Sequence, residues 1–256
     1  DANNMVSVSI DIENIEKYIR KKRAEGLKGF GLLHVMLATY VRTVGQRPGV
    51  NRFISGQKLY ARNDIQVMMT IKKEMKLDAQ ETVVKAYYSP SDSPEEVYRI
   101  FNKLVEENKA EGDQNGMDSV ARILNYIPGL LLKFAVWFLN LLDYFGLLPK
   151  FLLKVSPFHG SFFITSMGSL GIPAIYHHLY NFGNVPLFCS YSAKRNEYII
   201  NKDGVPEKRK FVDFKFVMDE RICDGHYYAS ALKMMMDYLK NPEKLDEPIE
   251  VVPDIY

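Results

Sequence analysis

Residues 214–232 read FKFVMDERICDGHYYASAL. Residues 211–217 alternate apolar and polar side chains, the signature of a half-buried strand. Asp224-Gly225 is a turn signal, and residues 226–239 carry a helical pattern closed by Asn241-Pro242. A strand, a sharp turn crowded with Asp219, Glu220, Arg221 and Asp224, and a helix therefore follow one another directly.

Outward from this stretch, residues 160–171, GSFFITSMGSLG, read as a strand over 161–166 running into a glycine-bearing turn. Further strands are expected at 6–12, 65–71, 82–87, 187–193 and 197–200, with a turn at Asn201-Lys202-Asp203-Gly204. Ser55-Gly56-Gln57 sits between two short apolar runs as a hairpin signal. A charged helix is expected over 13–25, and a helix apolar on most sides over 30–44, stopped by Gly45 and Pro48. Ser93-Pro94-Glu95-Glu96 is a helix start with capping Ser93, Pro94 in the first turn and Glu96 at the capping-box position. That helix should run to about residue 109 and give way to a polar loop over 112–116. Strands and helices mix without strict βαβ alternation, so an α/β chain of the α+β kind is expected, a mixed sheet with helices on one face. No composition break divides residues 1–256, which are read as a single domain.

The 256 residues hold 33 Lys plus Arg against 31 Asp plus Glu, a formal net charge of +2, and 47% are hydrophobic. That balance argues against a disordered tail and against a polybasic nucleic-acid binder. Cys189 and Cys223, far apart, suit neither a disulfide framework nor a zinc cluster, so a reducing, cytoplasmic setting is expected. There is no P-loop, no Gly-x-Gly-x-x-Gly after a strand and no His-Glu-x-x-His, hence no expected nucleotide cofactor or metal. The chain opens at Asp1 without an initiator Met or a recognisable leader, so trimming of upstream residues is expected.

Residues 123–158 are far more apolar than the rest, but Lys133, Asn140, Asp143, Lys150 and Lys154 interrupt them and Pro128 and Pro149 bracket them. A spanning helix needs about 20 mainly apolar residues. Here the polar residues fall on one stripe, as in an amphipathic helix with a wide apolar face. Burial against the rest of the fold or a neighbouring subunit is the first expectation, with peripheral membrane contact or a wall for an acyl chain as alternatives.

The stretch 214–232 resembles the C-terminal signature of the CoA-dependent acyltransferase superfamily, which includes chloramphenicol acetyltransferase and the catalytic domain of dihydrolipoamide acyltransferases of 2-oxo-acid dehydrogenase complexes. The family pattern is His-x-x-x-Asp-Gly at a strand end, then a helix and an Asn/Asp-Pro-Glu-x-Leu tail. Asp219, Arg221, Asp224 and Gly225 stand in the matching places, and residues 160–171 resemble the family's Thr-Ile-Ser-Asn-Leu-Gly strand and turn, with Gly168 at its glycine. The resemblance extends over nearly the whole chain, through the N-terminal order of elements and Arg47-Pro48-Gly49-Val50-Asn51. It implies a chloramphenicol acetyltransferase-like fold, with residues 118–157 as an extra apolar helical insertion. It also implies a homotrimer with sites between subunits, acyl-CoA as co-substrate, a small-molecule acyl acceptor, and no metal. Without a lipoyl domain, the chain resembles a stand-alone catalytic domain.

In the family the histidine four residues before the Asp of Asp-Gly is the general base, and here that position is Glu220. The hydroxyl that donates to the tetrahedral oxyanion matches Ser166, with Thr165 one register away. Asp224 matches a residue that pairs with an Arg and orients the turn. A carboxylate near its reference pKa of about 4.3 is a weak base unless burial raises it. A thiol acceptor asks less of Glu220 than an alcohol does, and His226, His177 and His178 are the candidate substitute bases. Two functions remain open: CoA-dependent acyl transfer to a hydroxyl, amine or thiol, and an inactive trimer that binds acyl-CoA or serves as a scaffold.

Overall fold

The computed structural model describes residues 2–72, 81–110 and 126–254. The loop expected at 112–116 and the start of the apolar block lie outside these. The strands are β1 (Asn3–Asp11), β2 (Arg52–Ser55), β3 (Lys58–Ala61), β4 (Ile65–Lys72), β5 (Glu81–Tyr88), β6 (Phe162–Ser166), β7 (Leu187–Tyr191), β8 (Arg195–Ile200) and β9 (Pro206–Asp219). The helices described are α1 (Glu13–Ala24), α2 (Leu32–Gln46), α3 (Pro94–Ala110), α4 (Gly129–Tyr144), α5 (Lys150–Val155) and α6 (Gly225–Lys240).

Seven strands form one mixed sheet in the order β1-β9-β7-β6-β4-β5, with β8 also paired to β9. β6 is parallel to β4 and β7, and the other pairings are antiparallel. β9 is the longest strand because its alternation begins at Pro206, five residues before the expected start at Phe211. Val212, Phe214 and Phe216 point from it into the main core beside Phe162, Ile164 and Cys189. The opposite face carries a smaller cluster of Met68, Phe163, Phe188 and Val217.

Helices α1, α2, α3 and α6 supply the main core's other half. α2 is buried on nearly every side because it lies between the sheet and the other helices, which explains its apolar circumference. Tyr40 stacks on Phe162 with ring centroids 4.3 Å apart and donates its hydroxyl to Ser161 O at 3.3 Å, seating α2 on β6. The capping box of α3 forms as expected, with Ser93 N donating to Glu96 Oε2 at 2.7 Å and Glu96 N donating to Ser93 Oγ at 3.3 Å.

Gly45 does not stop α2, which continues to Gln46. A Cβ on Gly45 would lie 2.6 Å from Ile249 Cδ1 and 2.9 Å from Pro90 O, and Val252 N donates to Gly45 O at 2.8 Å. The glycine is there so that the C-terminal segment can cross α2 at close range. Gly56 and Gln57 both take positive φ, 54° and 66°, giving the mirror-image turn that suits the twist of a two-residue hairpin between β2 and β3.

Burial against the rest of this chain, one of the two forms of the first expectation, is only partial for the apolar block. No residue of α4 is fully buried, and only part of its wide apolar face meets this chain's own fold. The half-buried positions are Leu132, Ala135, Leu139, Leu142 and Asp143, which fall on one stripe toward the protein. Leu130, Phe134, Trp137 and Leu141 form the outward stripe, with Leu130 86% and Trp137 56% exposed. No helix among the described residues is long and apolar enough to cross a membrane.

Candidate active site

β9 ends at Asp219, whose N–H donates to Pro186 O at 2.9 Å. The carboxylate is buried and receives three hydrogen bonds from Arg221: Nε at 2.8 Å, Nη2 at 2.7 Å and the backbone N–H at 3.0 Å. Tyr228 on α6 donates its hydroxyl to Asp219 O at 2.8 Å, tying the strand end to the helix. Between the paired residues, Glu220 is exposed and is fixed through its backbone, with N donating to Ala2 O at 2.9 Å.

The resemblance implied that Asp224 pairs with an Arg and orients the turn; in the structure it has no ion pair among the described residues and caps the helix that follows the turn. It is the N-cap of α6 and accepts from Tyr227 N at 2.8 Å, while the arginine of the turn pairs with Asp219. The cause is spacing: the turn puts Arg221 back over the strand end, and Asp224 lies where α6 has N–H groups without helical acceptors. Gly225 is the first residue of α6, and His226 follows it, exposed. Burial pushes the Cys223 thiol up to about 12 and the Cys189 thiol well above its usual range, so neither is poised as a nucleophile.

Thr165 and Ser166 end β6, half-buried, and Gly168 opens a 3-10 turn over Gly168–Leu170. Ser166 pairs with Tyr191, which pairs with Phe214, whereas Glu220 lies six residues beyond Phe214 on the outgoing β9. At about 3.3 Å per residue, the two ends are separated by roughly 20 Å along the sheet. Within one chain the structure therefore does not bring Glu220 and Ser166 together.

His177 stacks on Phe188 with centroids 4.2 Å apart, and its Nδ1 lies 2.8 Å from His178 O. His178 is exposed. His34 is a core residue: Gly31 N donates to its Nδ1 at 3.1 Å, Nε2 meets Asn102 Oδ1 at 3.3 Å, and burial pulls its pKa down to about 4.

A groove of about 910 Å³ runs alongside Asp219 and Arg221, walled by the hairpin tip Gly56-Gln57 and by Asn140 and Tyr144 of α4. None of His177, His178 and His226 lines it. α4 is held here by contacts that the sequence did not reveal. Ser55 Oγ donates to Asp143 O at 2.9 Å. Buried His159 bridges Asp143 Oδ1 at 3.1 Å and Ser156 Oγ at 2.8 Å. The hairpin tip closes under the helix end so tightly that a Cβ on Gly56 would collide with Tyr144 O. Arg62 and Lys85, both largely withdrawn from water, sit beneath α4 and α5. In sequence they look like ordinary strand-end and strand charges; that neither has an ion pair among the described residues is a tertiary fact. Among the described residues no cluster of His, Cys, Asp and Glu could hold a metal ion.

This strand, turn and helix on a mixed sheet define the fold, which is that of solved dihydrolipoamide acetyltransferase and chloramphenicol acetyltransferase structures. The chain is similar in structure to a probable dihydrolipoamide acetyltransferase from Listeria monocytogenes 4b F2365, with a TM-score of 0.62 and 15% identity over 98% of this chain and 88% of that one. It is also similar to the cubic core of the pyruvate dehydrogenase multienzyme complex, with a TM-score of 0.62 and 14% identity over 95% of this chain and 83% of that one. A chloramphenicol acetyltransferase matches with a TM-score of 0.58 and 13% identity over 94% of this chain and 89% of that one. No family model and no curated protein matches the sequence.

Proposed function

We propose that the chain is a CoA-dependent acyltransferase whose site forms between subunits of a homotrimer, in a reducing, cytoplasmic setting. The observation that carries this reading is the placement of Glu220 and Ser166 at opposite ends of one acyltransferase-type sheet, which leaves each end half of a site. Rotational symmetry would let the Glu220 end of one subunit meet the Ser166 end of the next.

In this mechanism Glu220 takes the proton from the acceptor's hydroxyl, amine or thiol as it attacks the thioester carbonyl. Ser166, or Thr165 beside it, donates a hydrogen bond to the oxygen that gains negative charge. When the tetrahedral species collapses, the C–S bond breaks and Glu220 returns the proton to the departing thiolate. Asp219 and Arg221 hold the turn in position, and Asp224 starts the helix that backs it. A thiol acceptor demands least of an exposed carboxylate, because its proton is far more acidic than that of an alcohol.

The test is thiol release from a panel of acyl-CoAs with a set of hydroxyl, amine and thiol acceptors. Turnover that falls about a hundredfold in Glu220→Ala supports acyl transfer. If neither protein turns over while acyl-CoA still raises the melting temperature, the chain is an acyl-CoA-binding trimer without catalysis.

A second reading concerns α4. Its outward stripe is Leu130, Phe134, Trp137 and Leu141, Lys133 is exposed on the same helix and Lys150 and Lys154 on the next, while Asp143 is turned inward to His159. We propose that this face rests on an anionic bilayer surface, to which such a composition is matched. Flotation with phosphatidylglycerol vesicles, lost in Trp137→Glu and at high salt, supports it. Retention in the soluble fraction, or concentration-dependent self-association through the same face, overturns it.

A further inference from the structure

A second cavity, of about 630 Å³, lies beneath α4 and α5 and shares Ser55, Asp143 and Asn184 with the groove. We propose that this cavity binds an amphiphilic organic anion, an acyl chain headed by a free carboxylate, with Arg62 as its anchor. The proposal goes beyond acyl transfer and does not depend on it.

Arg62 follows β3, and its guanidinium lies 4.3 Å from the centroid of the Phe53 ring. Its Nη2 is held by Asn184, 3.0 Å from the backbone oxygen and 2.6 Å from Oδ1. Nε is sealed within the protein without a hydrogen-bond partner. Among the described residues Arg62 has no ion pair and Nη1 has no hydrogen bond, so Nη1 is the donor left for a ligand in the cavity that Arg62 lines. Of the two nearby carboxylates, Asp143 is paired with His159, and Asp64, whose Oδ1 accepts from Gln66 at 2.9 Å, acts on Arg62 and Lys85 without an ion-pair contact to either among the described residues. Burial lowers the Arg62 pKa to about 10 in spite of the opposing charge of Asp64, the mark of a cation short of solvation.

The surroundings add positive charge. Lys85 stands behind the cavity wall, its Nζ donating to Leu153 O and His159 O at 2.7 Å each. Lys150 and Lys154 line the cavity from exposed positions. Phe53, Leu148 and Leu153 supply apolar wall between floor and rim. A buried cation without a partner is unfavourable, and an incoming carboxylate relieves it through a charge-assisted hydrogen bond. The apolar wall favours an alkyl tail over a small anion, and the volume is in the range of about 300–1,000 Å³ common to small-molecule sites.

The test is calorimetric titration of the full chain with decanoate, decanol, decylammonium and acetate, below their aggregation concentrations. Decanoate is expected to bind at least tenfold more tightly than decanol, with decylammonium and acetate not binding. Arg62→Met should bring decanoate to the level of decanol. Equal affinity for decanoate and decanol, no binding of decanoate, or equal binding of acetate overturns the proposal. The wild-type comparison decides the matter even if Arg62→Met does not fold. Because the titration reads binding without turnover, its outcome is separate from that of the acyl-transfer assay.

Discussion

Asp219 and Arg221 bracket Glu220 in a two-pronged ion pair, with Nε 2.8 Å and Nη2 2.7 Å from the two carboxylate oxygens. The pairing locks the backbone on either side of Glu220 and leaves its side chain in solvent. Arg221 is mostly exposed while Asp219 is buried, so the pair's effect on the buried carboxylate matters more than its Coulomb energy.

Arg221→Ala should therefore destabilise the protein by about 1 kcal/mol, since Asp219 keeps only the backbone donor. Arg221→Lys should recover part of this but not the two-pronged geometry. Urea denaturation measures both, and an unchanged midpoint in Arg221→Ala would show that the pair does not hold the turn.

Glu220 and Ser166 in one chain lie roughly 20 Å apart along the sheet. A site shared between subunits predicts that Glu220→Ala and Ser166→Ala, each inactive alone, complement each other when mixed and reassembled. Random mixing of equal amounts restores both groups in about a quarter of the sites, given a cyclic trimer. No recovery from two folded, reassembled variants contradicts the shared site.

His34 carries the clearest pH signature. Burial lowers its pKa from about 6.5 to about 4, so the folded protein holds it neutral while the unfolded chain takes up a proton near pH 6.5. The contribution to stability is fully present above pH 6.5 and is lost as pH falls toward 4, amounting to ~3 kcal/mol. Urea denaturation at pH 7.5 and pH 4 should show this loss in the wild type and not in His34→Gln. Parallel losses in the two proteins would contradict it.

Gly45→Ala separates helix propensity from packing. In an open helix the change stabilises by roughly 0.5–1 kcal/mol. Here the added methyl meets Ile249 and Pro90, and about 1–3 kcal/mol of destabilisation is expected. The sign of the change in unfolding free energy decides between the two.

His159→Ala removes the bridge between Asp143 and Ser156. Amide exchange over residues 129–144 should accelerate, with little change in α2 at the centre of the core. Equal exchange in the two proteins would mean that the Ser55 contact and the hairpin tip suffice to hold α4.

The parts of the fold legible in sequence were those encoded by neighbours along the chain. Ser93 and Glu96 declare a capping box three residues apart, and the alternation in β9 with Asp224-Gly225 declares strand, turn and helix. The orientation of α4 was not legible, because periodicity separates two faces without saying which one meets the protein. Gly45 misled for a related reason: glycine ends helices and also admits close neighbours, and only Ile249, some two hundred residues away, distinguishes the cases. Arg62 was hidden because its burial under α4 and α5, and the want of an ion-pair contact to it among the described residues, arise only in three dimensions.

The pairing of β1 with β9 joins Asn3 to Asp219. A ribosome must deliver roughly two hundred residues after β1 before β9 emerges to pair with it, so β1 waits with its backbone groups unpaired over that interval. Such distant pairing slows folding and leaves a strand edge open to other nascent chains. The polar side chains Asn3, Asn4, Ser7 and Ser9 on β1 act in that interval as solubilising guards, before the sheet that needs them exists.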